Sequence, residues 1–87
     1  MHNLVFLIFY LCNRMKDEFL RALGKRISQI REEKNLSKTD LAKKIKKDYH
    51  SILRLEQGKV NPSLIYLMEV AKGLGSDVSI ITKGLPE

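Results

Sequence analysis

The spacing of the large apolar residues after position 17 is the feature that most restricts how this chain can fold. These residues recur at intervals of three and four, beginning with Leu20, Leu23, Ile27 and Ile30. This period gathers apolar side chains on one face of a helix, whereas a half-buried strand would alternate at every second residue. No alternating pattern competes with it after residue 15. We therefore predict an all-α fold.

Polar residues that favour helix starts divide the remaining chain into further helices. Ser37 is placed to cap a second helix, Asp48 a third, the run Asn61-Pro62-Ser63 starts a fourth, and Ser76 or Asp77 starts a fifth. Gly58 can adopt the left-handed conformation that follows a helix end. The residues predicted to face the core from these helices are Leu41, Ala42, Ile45, Ile52, Leu55, Leu64, Leu67, Val70, Ala71, Leu74, Val78 and Ile81.

The small size and the residue types present argue against an enzyme. Eighty-seven residues form one small domain without room for a large catalytic cleft. The single cysteine, Cys12, excludes an intrachain disulfide framework, and His2 and His50 lie too far apart for a structural zinc site. There is no glycine-rich phosphate loop and no nucleophile with an orienting base. We expect no catalytic residue, no metal and no cofactor, and we expect the chain to work in the reducing cytoplasm.

The positive charge is concentrated in one segment of the chain. The sequence has 16 Lys and Arg against 10 Asp and Glu, and residues 34–47 contain six lysines with the single acid Asp40. A basic segment of this kind makes a polyanion the leading class of partner.

The first 14 residues differ in character from the rest and are predicted to be an extension of a domain that spans residues 15–87. Leu4 to Cys12 is an unbroken apolar run, and residues 1–13 carry no charged side chain. As a helix, this run would extend about 14 Å, less than half of the roughly 30 Å of hydrocarbon in a bilayer. A secretory signal is disfavoured because no Lys or Arg precedes the run and no small-residue cleavage site follows it. A buried extra helix or strand and an upstream extension of the domain both stay open.

Residues 19–82 resemble the phage-repressor-like helix-turn-helix proteins of the Xre family. The resemblance rests on the joint spacing of Arg31, Leu36-Ser37, Leu41-Ala42, Ile52, Leu55-Glu56, Gly58, Asn61-Pro62-Ser63-Leu64 and Leu74-Gly75. It implies a compact five-helix, lambda-repressor-like domain that binds double-stranded DNA with its third helix in the major groove. It further implies a repressor-like transcriptional regulator and a structural ion pair between Arg31 and Glu56.

The third helix would present the base-reading residues. With Ile52 and Leu55 facing the core, Tyr49, His50 and Arg54 face outward and match the base-reading positions of the family. An arginine can hold a guanine edge with two hydrogen bonds. The residues expected to contact DNA phosphates are Ser37, Lys38, Lys43, Lys46, Lys47, Ser51 and Lys59.

Lys46 departs from the family pattern, which has glycine in the turn between the second and third helices. A left-handed lysine there would cost roughly 1 kcal/mol or more. Two explanations stay open: the added charge offsets this strain, or the turn differs from that of the family by one residue.

One recognition helix contacts too few base pairs to be selective, so we expect a homodimer. Apolar residues left over from the core, namely Ile65, Tyr66, Ile80 and the segment Leu4 to Cys12, are the candidate interface. The alternative is an antitoxin-like module that binds DNA and also binds a protein partner through the apolar N-terminus. A membrane tether is disfavoured.

Overall fold

The computed structural model describes residues 2–85, with side chains from residue 4 onward, and contains five helices. They are α1 (His2–Glu33), α2 (Lys38–Lys44), α3 (Tyr49–Glu56), α4 (Leu64–Gly73) and α5 (Val78–Thr82). Residues 2–85 contain no strand, so the prediction of a five-helix, all-α fold is confirmed. In this arrangement α1 and α2 pack against α3, and α5 packs against α1 and α4.

The first helix is much longer than the apolar period predicts. That period predicts a start near residue 17, but α1 runs without interruption from the N-terminal extension into the domain over 32 residues. No proline occurs in this stretch and its first glycine is Gly24, so nothing in the sequence stops the helix at the boundary. At 1.5 Å per residue, a helix of this length spans about 48 Å, which accounts for the 51 Å long axis of the molecule.

The N-terminal extension, residues 1–14 in the sequence analysis, is helical over its described residues. It is not the buried helix that one of the alternatives predicted. All side chains from Leu4 to Glu18 are exposed, and burial starts only at Phe19 and Leu20. The first half of α1 therefore projects from the body of the domain. Within residues 2–85, no helix is both long enough and apolar enough to cross a membrane.

The core is built from the predicted apolar faces, with one exception among the large residues. The spacing predicts that Leu64 faces inward, but it is 65% exposed. It is the first residue of α4, and side chains there point back over the preceding loop rather than into the layer that Leu67, Val70 and Leu74 occupy. The fully buried core consists of Leu23, Ile27, Ile30, Leu41, Ala42, Ile52, Leu55, Val70, Ala71, Leu74 and Ile81.

The predicted helix caps are present in the structure. The side chains of Ser37, Asp48, Ser63 and Asp77 each accept a hydrogen bond from the backbone N–H three residues later. Ser37 and Asp40 form a reciprocal capping box, with both N···O distances close to 3 Å. These contacts satisfy backbone donors that a helix start leaves open, and they set where each helix begins.

Gly24 determines how closely α1 approaches the end of α3. A Cβ atom at this position would lie 2.3 Å from the backbone oxygen of Glu56, which is too close for any side chain. The two backbones are therefore in direct contact, and this contact places α3 on the body of the domain.

Candidate nucleic-acid interface

The turn that joins α2 to α3 is closed by backbone hydrogen bonds around a left-handed lysine. Lys46 has φ 58°. The Lys47 N–H donates to the Ala42 carbonyl at 2.9 Å, and the Lys46 N–H donates to the Lys43 carbonyl at 3.3 Å. This is the Schellman pattern, in which the left-handed residue is usually glycine. The left-handed conformation considered for Lys46 is thus the one observed.

Helix α3 has a buried face and an exposed face along its whole length. Ile52 and Leu55 are almost completely buried, while Tyr49, His50 and Arg54 are exposed. The Tyr49 and His50 rings contact each other edge to face with centroids 5.7 Å apart. The structure therefore places the three predicted base-reading side chains together on the outer surface of one helix.

Carboxylates at the starts of α2 and α3 stay ionised over a wide pH range. The pKa of Asp40 is lowered by its hydrogen bond from the Ser37 N–H and further by Lys43 and Lys44. The pKa of Asp48 is lowered by its hydrogen bond from the Ser51 N–H. Both carboxylates are occupied by helix capping, which leaves the neighbouring lysines as the groups able to attract an anion.

The predicted phosphate-contacting residues lie on the surface around the two helices. Lys43, Lys46, Lys47 and Lys59 are exposed, and Ser51 and Lys38 are half-buried. Ser37 accepts the Asp40 N–H through its hydroxyl oxygen. A hydroxyl can donate as well as accept, so this cap is compatible with donation to a phosphate.

Tyr66 makes contacts within the domain, and the interface role predicted for it stays a prediction. Tyr66 is half-buried against the core, and its hydroxyl is enclosed without a hydrogen-bond partner among the described residues. The Lys47 ammonium lies 5.6 Å from the centre of its ring. Burial raises the pKa of Tyr66. The ring therefore lies against Lys47, one of the predicted phosphate ligands, and sequence spacing offered no signal for this contact.

A small cleft lies between α3 and the start of α4, next to the predicted base-reading surface. Its volume is about 210 Å³. Polar side chains that sequence reasoning did not assign to the site, Asn61 and Ser63, line it beside Ser51 and Arg54. The sequence predicted these two residues as the start of the fourth helix and not as part of the site.

Behind this surface, Arg31 and Glu56 form a buried ion pair. The Arg31 Nε lies 2.8 Å from the Glu56 Oε2, and both side chains are more than nine-tenths buried. The pair lies between α1 and the last residue of α3, away from the exposed face. Its geometry is that of a structural contact which orients α3.

Comparison with known proteins identifies the family. The helix-turn-helix model HTH_3 matches residues 27–81. The restriction-modification controller protein C.AhdI from Aeromonas hydrophila is similar in structure, with a TM-score of 0.69 and 27% identity over 71% of this chain and 94% of that one. The clp gene regulator ClgR from C. glutamicum has a TM-score of 0.72 and 25% identity over 74% of this chain and 82% of its own. No curated protein sequence matches the chain. With the family model covering more than half of its residues, the chain belongs to the Xre-type helix-turn-helix family.

Proposed function

We propose that this protein is a sequence-specific, double-stranded DNA-binding regulator of transcription that reads the major groove with α3. The main support for this proposal is that α3 has two distinct faces. Ile52 and Leu55 lie on its buried face, and Tyr49, His50 and Arg54 lie on its exposed face. A helix fits the major groove, where each base pair shows a distinct set of donors, acceptors and methyl groups. Membership of the helix-turn-helix family and likeness to two proteins described as a controller and a gene regulator support this role.

Lysines and the starts of the helices are proposed to hold the DNA backbone. Ser37 and Lys38 lie at the start of α2, while Lys46 and Lys47 lie in the turn before α3. Phosphate contacts of this kind set orientation without reading sequence. The remaining proposed backbone contacts are Lys43, Ser51 and Lys59. The net charge of +6 favours association with any duplex at low salt.

We further propose that the protein acts in the cytoplasm as a repressor-like homodimer. Two recognition helices related by a two-fold axis would read half-sites about 34 Å apart on one face of the duplex. Apolar side chains suited to a contact between copies are exposed in the described residues, including Ile65 and Ile80 outside the N-terminal segment.

A second candidate function is an antitoxin-like module that binds DNA and another protein together. The observation that favours it is the exposed apolar first half of α1, since contiguous exposed apolar surface is typical of interaction sites. Retention of a specific partner by the full chain, abolished by polar substitutions between Leu4 and Cys12, would support this function.

Selection of bound duplexes from a random pool tests the DNA-binding proposal. The full chain should enrich a symmetric consensus, and Arg54→Ala should relax preference at one position per half-site, a loss of about 1–3 kcal/mol for a bidentate contact. Lys38→Ala should weaken all duplexes alike and flatten the dependence of log affinity on log salt by about 0.9. Lys83→Ala, an exposed lysine outside α2 and α3, is the matched control and should change the slope less. Enrichment of no sequence, or an unchanged preference in Arg54→Ala, would refute the proposed readout.

A further inference from the structure

An open cavity lies where the C-terminal ends of α1, α2 and α4 meet. Its volume is about 630 Å³, which is within the range of about 300–1,000 Å³ that small-molecule sites occupy. Leu36, Ile45 and Leu74 line it with apolar surface, and each of them is buried or half-buried. Among the described residues, none from α3 lines this cavity, and it shares no residue with the small cleft beside Arg54. It is therefore a site apart from the proposed base-reading surface.

Lysines from three separate parts of the chain line this cavity, and we call it the lysine cavity. One follows α1, two lie at or just after the end of α2, and one lies in the last turn of α4, namely Lys34, Lys44, Lys46 and Lys72. Among the described residues that line the cavity, the only acid is Glu69, which leaves an excess of three positive charges.

None of these lysines has a carboxylate partner within 4 Å in the part of the chain that the structure describes. Every ion pair between residues 4 and 85 is formed by an arginine. A lysine near the C-terminal end of one helix is common, because its charge complements the helix dipole. In this protein three helix ends bring four such charges to one cavity. These like charges repel each other, and an anion bound among them would relieve the repulsion.

Two close contacts give the lysine cavity its shape. A Cβ atom on Gly73 would lie 2.7 Å from the Ile45 Cγ2, so α4 meets the end of α2 with no side chain of its own between them. The Lys34 Nζ lies 4.0 Å from the position that a Cβ atom of Gly75 would occupy. The Lys34 ammonium is therefore next to the turn that follows α4, although Lys34 itself follows α1.

We propose that the lysine cavity binds a small molecule that joins a di- or triphosphate group to an apolar ring, the chemistry of a nucleoside di- or triphosphate. A lysine ammonium binds phosphate as a compact point charge. The excess of positive charge in the cavity suits a group that carries several negative charges. The ring would lie on Leu36, Ile45 and Leu74, where its apolar surface leaves water. The Glu69 carboxylate offers an acceptor to an N–H or O–H of the ligand.

Occupation of the lysine cavity would act on DNA binding through Lys46, and this step rests on the proposed function. Lys46 lines the cavity and also belongs to the surface proposed to hold the DNA backbone. A bound polyphosphate would neutralise this ammonium and place further negative charge beside it, well within the roughly 10 Å over which charges act at 0.1 M salt. The ligand should therefore weaken DNA binding, and DNA should weaken binding of the ligand by the same factor.

Calorimetric titration of the full chain, without DNA or divalent metal, tests the binding itself. The probes are ATP, tripolyphosphate and adenosine. We expect ATP to bind most tightly and adenosine least tightly. Lys34→Gln combined with Lys72→Gln should weaken ATP binding at least about tenfold. The matched control, Lys25→Gln combined with Lys83→Gln, removes the same charge from exposed positions outside the cavity and should lose far less, because salt screens distant charges.

Three results of this titration would overturn the proposal. The absence of ATP binding at millimolar concentration would exclude a phosphate site. Equal losses in the two double variants would indicate attraction by net charge alone. Equal affinities for ATP and tripolyphosphate would exclude a ring held by the apolar lining. Circular dichroism should show the melting transition of the unchanged chain in both double variants, since all four substituted lysines are exposed.

Competition with DNA separates failure of this proposal from failure of the proposed function. On one duplex, ATP should weaken DNA binding by the unchanged chain more than sodium sulfate does at the same ionic strength. Lys34→Gln combined with Lys72→Gln should bind DNA as the control variant does and should lose the specific effect of ATP. If it binds DNA more weakly than the control variant, with a flatter salt dependence, these lysines contact DNA and the proposal is wrong. If the chain binds no duplex, the proposed function fails, and the titration with ATP still decides whether the cavity is a polyphosphate site.

Discussion

The Arg31 guanidinium on α1 binds both carboxylate oxygens of Glu56 at the end of α3, with N···O distances of 2.8 and 3.2 Å. Its remaining terminal nitrogen, Nη1, donates to the Leu36 carbonyl at 2.8 Å. The pKa of Arg31 is raised, chiefly by the hydrogen bond to Glu56. One buried side chain therefore connects α1, the loop before α2, and α3.

Removing one partner of this pair should destabilise the whole domain. Glu56→Ala leaves the Arg31 charge buried without its carboxylate, and we expect the free energy of unfolding to fall by about 3–5 kcal/mol. Urea unfolding followed by circular dichroism measures the change. Glu56→Gln, which keeps one acceptor, should lose less. An unchanged unfolding midpoint in Glu56→Ala would contradict the structural role of the pair.

Replacing the left-handed lysine should stabilise the fold and weaken DNA binding at the same time. Lys46→Gly removes the steric cost of φ 58°, and we expect the free energy of unfolding to rise by about 1 kcal/mol. It also removes a charge from the proposed phosphate surface, so the salt dependence of binding should become shallower by about 0.9 in slope. Thermal unfolding and salt titration on one duplex measure the two effects. If Lys46→Gly changes neither quantity, the idea that charge at this position offsets backbone strain is wrong.

The enclosed hydroxyl of Tyr66 should be dispensable for the fold, whereas its ring should not. A buried polar group without a partner costs about 1–3 kcal/mol, so Tyr66→Phe should raise the melting temperature. The ring that lies against the Lys47 ammonium is retained in this variant. Tyr66→Leu removes the ring and should lower both the melting temperature and the DNA affinity. A lower melting temperature in Tyr66→Phe would show that the hydroxyl has a stabilising partner.

Acid should destabilise the protein through its helix caps. The pKa values of Asp40, Asp48 and Asp77 are all lowered, mainly by hydrogen bonds that their carboxylates accept from Ser37, Ser51 and Ser79, respectively. Because the unfolded carboxyl has the higher pKa, of about 3.9, the unfolded chain binds more protons in acid. The stabilisation is complete above this value and is lost as the pH falls through the lower, folded values.

The matched variant for this prediction is Asp48→Asn combined with Asp77→Asn. Asparagine caps helices nearly as well as aspartate but does not titrate. Urea unfolding at about pH 7 and near pH 3, on either side of the unfolded pKa, should show a smaller loss of stability for the variant than for the unchanged chain. Equal losses in both proteins would exclude these two caps as the source of the acid sensitivity.

The interior of the domain could be predicted from the sequence because its signals are local. The apolar period on each helix, together with the cap residues Ser37, Asp48, Ser63 and Asp77, located four of the helix starts and nearly the whole core. Both kinds of signal act within a few residues of the chain, so neither depends on knowing how the helices pack.

Features that depend on contacts between distant residues could not be predicted. Gly24 occupies an ordinary position on α1, and only the approach of the Glu56 backbone shows why a side chain cannot fit there. The contact of Tyr66 with Lys47 likewise joins α4 to the turn after α2. Leu64 had the right spacing for the core but is the first residue of its helix, where spacing no longer determines burial.

Because α1 is continuous from His2 to Glu33, its exposed first half and the part that packs in the helix-turn-helix domain belong to one helix. Each residue inserted between them would rotate one part about the other by about 100°, whereas seven inserted residues would nearly restore the original phase and lengthen the helix by about 10 Å. The number of residues between Met15 and Phe19 therefore determines the rotation of the exposed first half of α1 relative to the domain. Insertions there would change the orientation of α3 relative to that exposed half without altering any residue that contacts α3.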